Sequence, residues 1–382
     1  MAGRDSSQNK TKSFFDFTLL FVVIFLLCFG LVMLYSVSSY DANLHYGDSA
    51  YFLKKQLVST IFGFVLMIVV ILMDYHIFER FAFPAYVVSA VLILLVLTPL
   101  GYEVNGARRW LNLGMSLQPA EVAKVGMIVF YASIICRLGK NLYSKAGLGL
   151  LFGSTALISA MVLFITDNLS SAIIIFGIVF MMIFVSTPNY KEYVILAALL
   201  VVIAGIFVLL VKNGVLTSDM SYRFARIEAW LDPEAYASDK SFQTLQSLYA
   251  IGSGDIFGKG LGQSLQKLGY IPEAQNDMIF SVICEELGLF GAGAVMLMFL
   301  IMIWRFFVIA NNAEDEFGAL LVVGVMAHIS IQVILNIAVV TNTIPNTGIT
   351  LPFISYGGSA VVFLLIEMGI VLSVARNIKF KG

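Results

Sequence analysis

Eight long apolar runs, at 15–35, 58–73, 82–97, 147–165, 171–184, 194–211, 291–309 and 317–340, limit what this chain can become. A helix crossing a bilayer needs about 20 such residues. In hydrocarbon only helices and closed barrels satisfy their own backbones. A barrel shows short segments of alternating polarity, whereas these runs are continuous. The sequence therefore predicts an all-α, polytopic membrane helical bundle. With 59% hydrophobic residues, water-facing chemistry is confined to the few polar stretches.

Ten spans are expected, at about residues 15–38, 57–74, 82–98, 119–136, 147–165, 170–186, 192–211, 278–308, 317–340 and 355–375. The organisation that follows is a tail over 1–14, seven spans over 15–211, a large polar loop over 212–277, three spans over 278–375 with a polar connection at 341–354, and a tail over 376–382. An even number of spans puts both termini on one side. Lys10, Lys12, Arg137, Lys140, Lys145, Lys191, Arg305, Arg376, Lys379 and Lys381 fall on that side, which makes it cytoplasmic by the positive-inside rule. Lys54, Lys55, Arg108 and Arg109 lie across from them. The 212–277 loop is then extracellular.

A net charge of −1 with scattered basic residues leaves no footprint for nucleic acid. Cys28, Cys136 and Cys284 lie in or beside spans without ligand spacing and are expected as buried free thiols. His45, His76 and His328 are on separate segments. No P-loop or dinucleotide glycine pattern is present.

Ionisable residues inside spans are costly and face cavities or partners. Gln118-Pro119-Ala120-Glu121 opens the fourth span, and Lys124 follows Glu121 by three residues, on the same face. That pair either fixes the helix end or shapes a polar cavity. Just upstream, Arg108 and Arg109 beside Trp110 suit phosphate oxygens or ordinary headgroups. In the loop, helices are expected near 223–231 and 242–249. Five glycines between Gly252 and Gly262 indicate a tightly turned or flexible surface backbone. Asp277 stands at the start of the eighth span, where a carboxylate caps free N–H groups and is held ionised. Ser281 and Glu285 follow it on one helical face, with Glu285 and Glu286 deeper in the span. The proline- and glycine-broken stretch from Ile344 to Ser359 is expected to dip back and line a cavity with Asp277.

These residues resemble the SEDS family (shape, elongation, division and sporulation proteins) over nearly the whole chain. Seven motifs carry the resemblance in order: Arg109-Trp110, Gln118 to Glu121, Gln246 to Gly252, Gly258 to Gly262, Pro272-Glu273 with Asp277 to Phe280, Glu285 to Gly288, and Thr350 to Gly358. Thr350 with Leu351-Pro352-Phe353 and Gln275 looks more like the division and sporulation branch than the elongation branch. Ala120 stands where the family usually has serine, Asp255 where glycine is frequent, and 166–171 is a loose form of a Pro-Asp-Leu motif.

The resemblance implies a peptidoglycan glycosyltransferase that polymerises lipid II into glycan strands at the outer face of the cytoplasmic membrane. Its implied partners are lipid II, the growing glycan strand, a monofunctional class B penicillin-binding protein and the division or elongation complex. It implies Asp277, Glu121 and Lys124 as catalytic residues. Arg109, Arg223, Gln118, Ser355, Gly357 and Gly358 are implied in substrate binding. A sugar hydroxyl needs a base, which suits Asp277, and a leaving pyrophosphate needs cations, which suits Lys124 and Arg109. Glu121 either orients Lys124 or joins Asp277 around a loosely held Mg²⁺ or Mn²⁺; no other cofactor is implied. Two other classes fit ten spans: a lipid II flippase, which needs a polar path to the cytoplasmic side, and a non-catalytic scaffold for a synthase.

Overall fold

A computed structural model describes residues 15–104, 106–112, 114, 116–187, 190–216, 222–236 and 241–378. The tail expected at 1–14 lies outside the described residues, as do residues 379–382 of the tail expected at 376–382, whose first two residues continue the last helix. Two helices start the chain, α1 (Phe17–Tyr46) and α2 (Tyr51–Leu72). The Asp16 carboxylate caps α1 by accepting from the Leu19 N–H at 2.9 Å, and it pairs with Arg305 at 2.6 Å. A four-residue turn, α3 (Ile77–Arg80), leads to α4 (Ala82–Leu95). At 14 residues α4 is shorter than the span expected at 82–98.

Between α4 and the next helix the chain forms an antiparallel sheet that apolar patterning does not predict: β1 (Gly101–Val104), β2 (Ala107–Asn112) and β3 (Ser116–Leu117), in the order β1-β2-β3. Arg108 holds its base. The guanidinium donates to the carbonyls of Thr98 at 2.6 Å and Gly101 at 3.0 Å. These bonds satisfy the backbone where α4 stops.

Then come α5 (Pro119–Leu138), α6 (Lys145–Ile165), α7 (Leu169–Ser186) and α8 (Tyr190–Lys212). The loop contributes α9 (Tyr222–Leu231) and α10 (Phe242–Ser253), matching the two helices expected there. The chain closes with α11 (Ile279–Asn312), α12 (Glu316–Val340) and α13 (Gly358–Asn377). Among the described residues nine helices are long and apolar enough to cross a membrane, with α4 a shorter apolar tenth. The protein is thus an all-α polytopic membrane bundle. Its core is α5, α7, α12 and α13, where half or more of the residues are buried, and α2 packs along α13. At the rim, α8 is almost wholly exposed and rests mainly on α9.

The glycine-rich stretch is tightly turned, with positive φ at Asp255, Gly258, Gly260 and Gly262, and though much of it is exposed its backbone is anchored to the bundle. It docks into a break in α11. Gly288 leaves helical geometry at φ 66° and ψ −168°, which interrupts the ladder there. Replacement bonds come from the loop: Lys259 and Gly260 donate their N–H groups to the Glu285 and Glu286 carbonyls, both at 2.9 Å. In return, Leu289 and Phe290 donate to the Asp255 and Ile256 carbonyls, both at 3.0 Å. A side chain at Gly258 (φ 77°) would collide with the Glu286 carbonyl. Asp255 sits at φ 49°, a conformation that glycine adopts freely and Asp tolerates.

Side chains complete the docking. Lys259 pairs with Glu285 and Lys267 with Glu286, each at 2.7 Å. Ser264 donates to Glu285, and Ser36 of α1 donates to Glu286 at 2.8 Å. The two adjacent carboxylates therefore escape the hydrocarbon because the loop brings a cation to each. Of the thiols, only Cys284 is buried as expected; Cys28 is exposed and Cys136 intermediate, and all three are free.

Candidate active site

One helical stripe organises the site. His328, Gln332 and Asn336 recur every four residues along α12, all buried in an otherwise apolar helix. Two amides of that stripe hang the same extended segment, residues 349–350. Asn336 Nδ2 donates to the Ile349 carbonyl at 2.6 Å and to the Asp277 carbonyl at 2.8 Å. One turn along, Gln332 Nε2 donates to the Thr350 carbonyl at 3.0 Å, while its Oε1 faces Lys124 Nζ at 3.4 Å. Asp277 and Lys124 are thereby tied to neighbouring points of one frame.

Asp277 does not cap α11. The N-cap is Met278, with no side-chain bond. The carboxylate instead accepts from Gln243 Nε2 of α10 at 3.3 Å. Gln243 also donates to the Pro272 carbonyl at 3.0 Å and accepts from Asn346 Nδ2 at 2.9 Å. Burial pushes the Asp277 carboxyl up to about 6, aided by Glu273 and only partly opposed by its own backbone N–H, Arg226 and Gln243. The expectation of a cap-lowered carboxyl is corrected: desolvation, not the helix terminus, governs this group. From the other side, α9 clamps the polar connection by way of Trp230 to the Asn342 carbonyl at 2.9 Å and Arg226 to Asn346 at 3.3 Å. Ser170, at the start of α7, donates to the Thr347 carbonyl. The broken 344–359 stretch does turn back onto the bundle.

Glu121 and Lys124 pair at 2.7 Å with almost no exposure. Proline at N1 starts α5 without losing a hydrogen bond, which puts both groups within its first two turns. Beyond Gln332 the polar chain continues inward. His328 Nε2 lies 2.9 Å from Gln332 Oε1, and its Nδ1 lies 2.8 Å from Glu367 of α13.

Gln118 is the N-cap residue of α5, with extended backbone. Arg109 is on β2, partly exposed. The side chain of Arg223 lies outside the described residues. Ser355 Oγ accepts from the Leu351 N–H at 2.8 Å, and the Gly357 N–H donates to Gln56 Oε1 of α2 at 3.1 Å. Gly358 opens α13 against Ser59. These three shape the turn by contacts within the protein.

The donor set does not fit a resident Mg²⁺ or Mn²⁺. The Lys124 ammonium already sits on Glu121, and among the described residues no three His, Cys, Asp or Glu groups converge as metal ligands. Of the two alternatives read for Glu121, orienting Lys124 or joining Asp277 around an ion, the contact present is the one with Lys124.

Known proteins share this architecture. The family model described as "Cell cycle protein", covering FtsW, RodA and SpoVE, matches residues 17–380. Stage V sporulation protein E of Bacillus subtilis is 37% identical over 96% of this chain and 98% of that protein. The probable peptidoglycan glycosyltransferase FtsW of the same organism is 36% identical over 97% and 93%. A chain from a solved peptidoglycan synthase complex superposes with a TM-score of 0.77 at 26% identity, over 95% of this chain and 98% of that one. The rod shape determining protein RodA of Thermus thermophilus gives 0.68 at 25%, over 95% and 97%. This chain belongs to the FtsW, RodA and SpoVE family of multi-pass membrane proteins.

Proposed function

We propose that this protein is a peptidoglycan glycosyltransferase that polymerises lipid II at the outer face of the cytoplasmic membrane, with its termini inside. One observation carries the reading: a buried carboxyl raised to about 6 shares a hydrogen-bonded frame with a buried ammonium. The family supports the reaction class, since several relatives of similar length are named probable peptidoglycan glycosyltransferases.

The 4-hydroxyl of one sugar attacks the anomeric carbon of the lipid-linked sugar, and Asp277 takes the hydroxyl proton. A carboxyl near 6 is ionised at neutral pH yet basic enough to serve. The carbon–oxygen bond to the pyrophosphate breaks, and the polyprenyl pyrophosphate leaves with the electron pair. Lys124 supplies positive potential for that charge, with Arg109 and Arg223 as further contacts. Glu121 holds Lys124 in place. Polyprenyl tails stay in the bilayer beside the apolar helices. A single-span class B penicillin-binding protein, working in a division or elongation complex, crosslinks the strands.

The test is polymerisation of fluorescent lipid II by the purified protein, with and without such a partner. Glycan strands from wild type and none from Asp277→Asn support the reading. Translocation of lipid II in liposomes without polymer would point to a flippase, and partner-dependent polymer unaffected by D277N would point to a scaffold.

A further inference from the structure

The His328–Glu367 pair lies beyond the proposed acid–base groups, yet its bonds end at Lys124. Gln332 is the pivot. One end of its carboxamide donates to the Thr350 carbonyl at 3.0 Å, so that end is the NH₂. The other end must be oxygen, and it faces both Lys124 Nζ at 3.4 Å and His328 Nε2 at 2.9 Å. An oxygen needs a donor, which fixes an N–H on Nε2. Nδ1 is 2.8 and 2.9 Å from the two oxygens of Glu367. Whichever of those two partners holds the proton between them, Nε2 keeps its own. His328, Gln332 and Glu367 are all at most 3% exposed, so water does not substitute for a lost partner.

We propose that His328, seated by Glu367, is a positioning residue that holds the Gln332 oxygen toward Lys124 and so places the ammonium of the site. This rests on the polymerase reading only for what the ammonium does; the hydrogen-bond order stands on its own. Without the imidazole donor, the Gln332 oxygen is kept turned that way by the long Lys124 contact and by the bond of the amide's own NH₂ to Thr350, one partner fewer. A flipped carboxamide would present its NH₂ to the ammonium and push it off position.

Two measurements decide it. The chain has three histidines, so removing His45 and His76 leaves His328 as the one imidazole for ¹⁵N-histidine spectroscopy of the full chain. Nε2 should carry a proton and Nδ1 should share one with Glu367. A bare Nε2 overturns the proposal, whether or not the protein polymerises lipid II. In the lipid II assay, His328→Leu should cost roughly tenfold in turnover, one hydrogen bond's worth. Glu367→Met should also lose activity, while Glu367→Gln, which still partners Nδ1, recovers most of it. The discriminating arm is the Lys124→Met background, where H328L should add little further loss. A loss that multiplies fully with K124M, or equal losses in E367M and E367Q, refutes positioning through Lys124. Absence of polymer from wild type would instead fail the polymerase reading, and the protonation of His328 Nε2 would still decide the hydrogen-bond order.

Discussion

Asp277 is where residue chemistry meets measurable pH behaviour. A base must be ionised, and this carboxyl is raised from 3.8 to about 6 by burial. Polymerisation by wild type should therefore rise with pH to a plateau, with a midpoint near 6, while D277N stays at background throughout. Stability runs in the opposite direction. The fold favours the protonated form, so burial of the charge destabilises above about pH 6, and the penalty disappears below the unfolded value near 4. D277N should then unfold at the same temperature as wild type or higher at pH 8, with the gap closing toward pH 4; about 3 kcal/mol is its ceiling. A D277N protein that melts well below wild type at pH 8 would contradict this account of the site. Asp277, Glu121 and Lys124 are legible in the sequence because charges stand out in apolar helices. His328, Gln332 and Asn336 are equally visible as polar residues four apart. Their roles are not readable, because each bonds to a backbone carbonyl or side chain supplied by another element.

At the scale of elements, the docked loop makes a strong claim about α11. Lys267 is the cation within reach of the buried Glu286, and Ser36 bridges the two, accepting from the lysine and donating to the carboxylate. Lys267→Met should destabilise by about 3–5 kcal/mol, because it strands a buried charge. Adding Glu286→Met should restore most of that stability, since replacing both partners by apolar groups removes the stranded charge. Thermal unfolding in detergent measures both. Gly288→Ala should cost more than the roughly 1–3 kcal/mol of its positive φ, because the added Cβ would collide with the Ile256 carbonyl oxygen and the Gly258 nitrogen, and it should expose the 254–267 segment to protease. The helices themselves are legible from apolar length and proline starts. Loop docking is not, because Lys259 and Lys267 lie 26 and 19 residues from their carboxylates. Glycine density reads the same whether a backbone is loose or pressed against another. The small sheet over 101–117 leaves no apolar signature, because its register depends on Arg108 and the end of α4.

For the whole molecule, the remaining question is which face meets a partner helix. The sequence alone favours the eighth and ninth spans together, through Met296 to Met302 and Leu320 to Met326, with Gly318 and Gly324 permitting close approach. The structure removes the α12 half of that surface. Leu320, Leu321, Val322 and Val323 are buried, and a side chain at Gly324 would meet Ile128 at 2.7 Å, inside the bundle. Gly318 likewise packs on Tyr75. What stays open is a ridge on α11: Leu297, Leu300, Trp304 and Phe307, all more than half exposed and spaced by three or four residues. That spacing forms one continuous helical face, and packing rather than the hydrophobic effect drives helix association in lipid. A single-span synthase is therefore expected to place its transmembrane helix along Leu297 to Phe307, which leaves its folded domain beside the loop that carries Asp277. Photo-crosslinkers at Leu297 and Leu300 should capture the partner in a co-purified complex, whereas crosslinkers at Val322 and Val323 should capture only this chain. Partner adducts confined to α1 and α2, whose outer faces are also apolar, would move the interface off the α11 ridge onto these neighbouring helices and leave the assignment of Asp277 untouched.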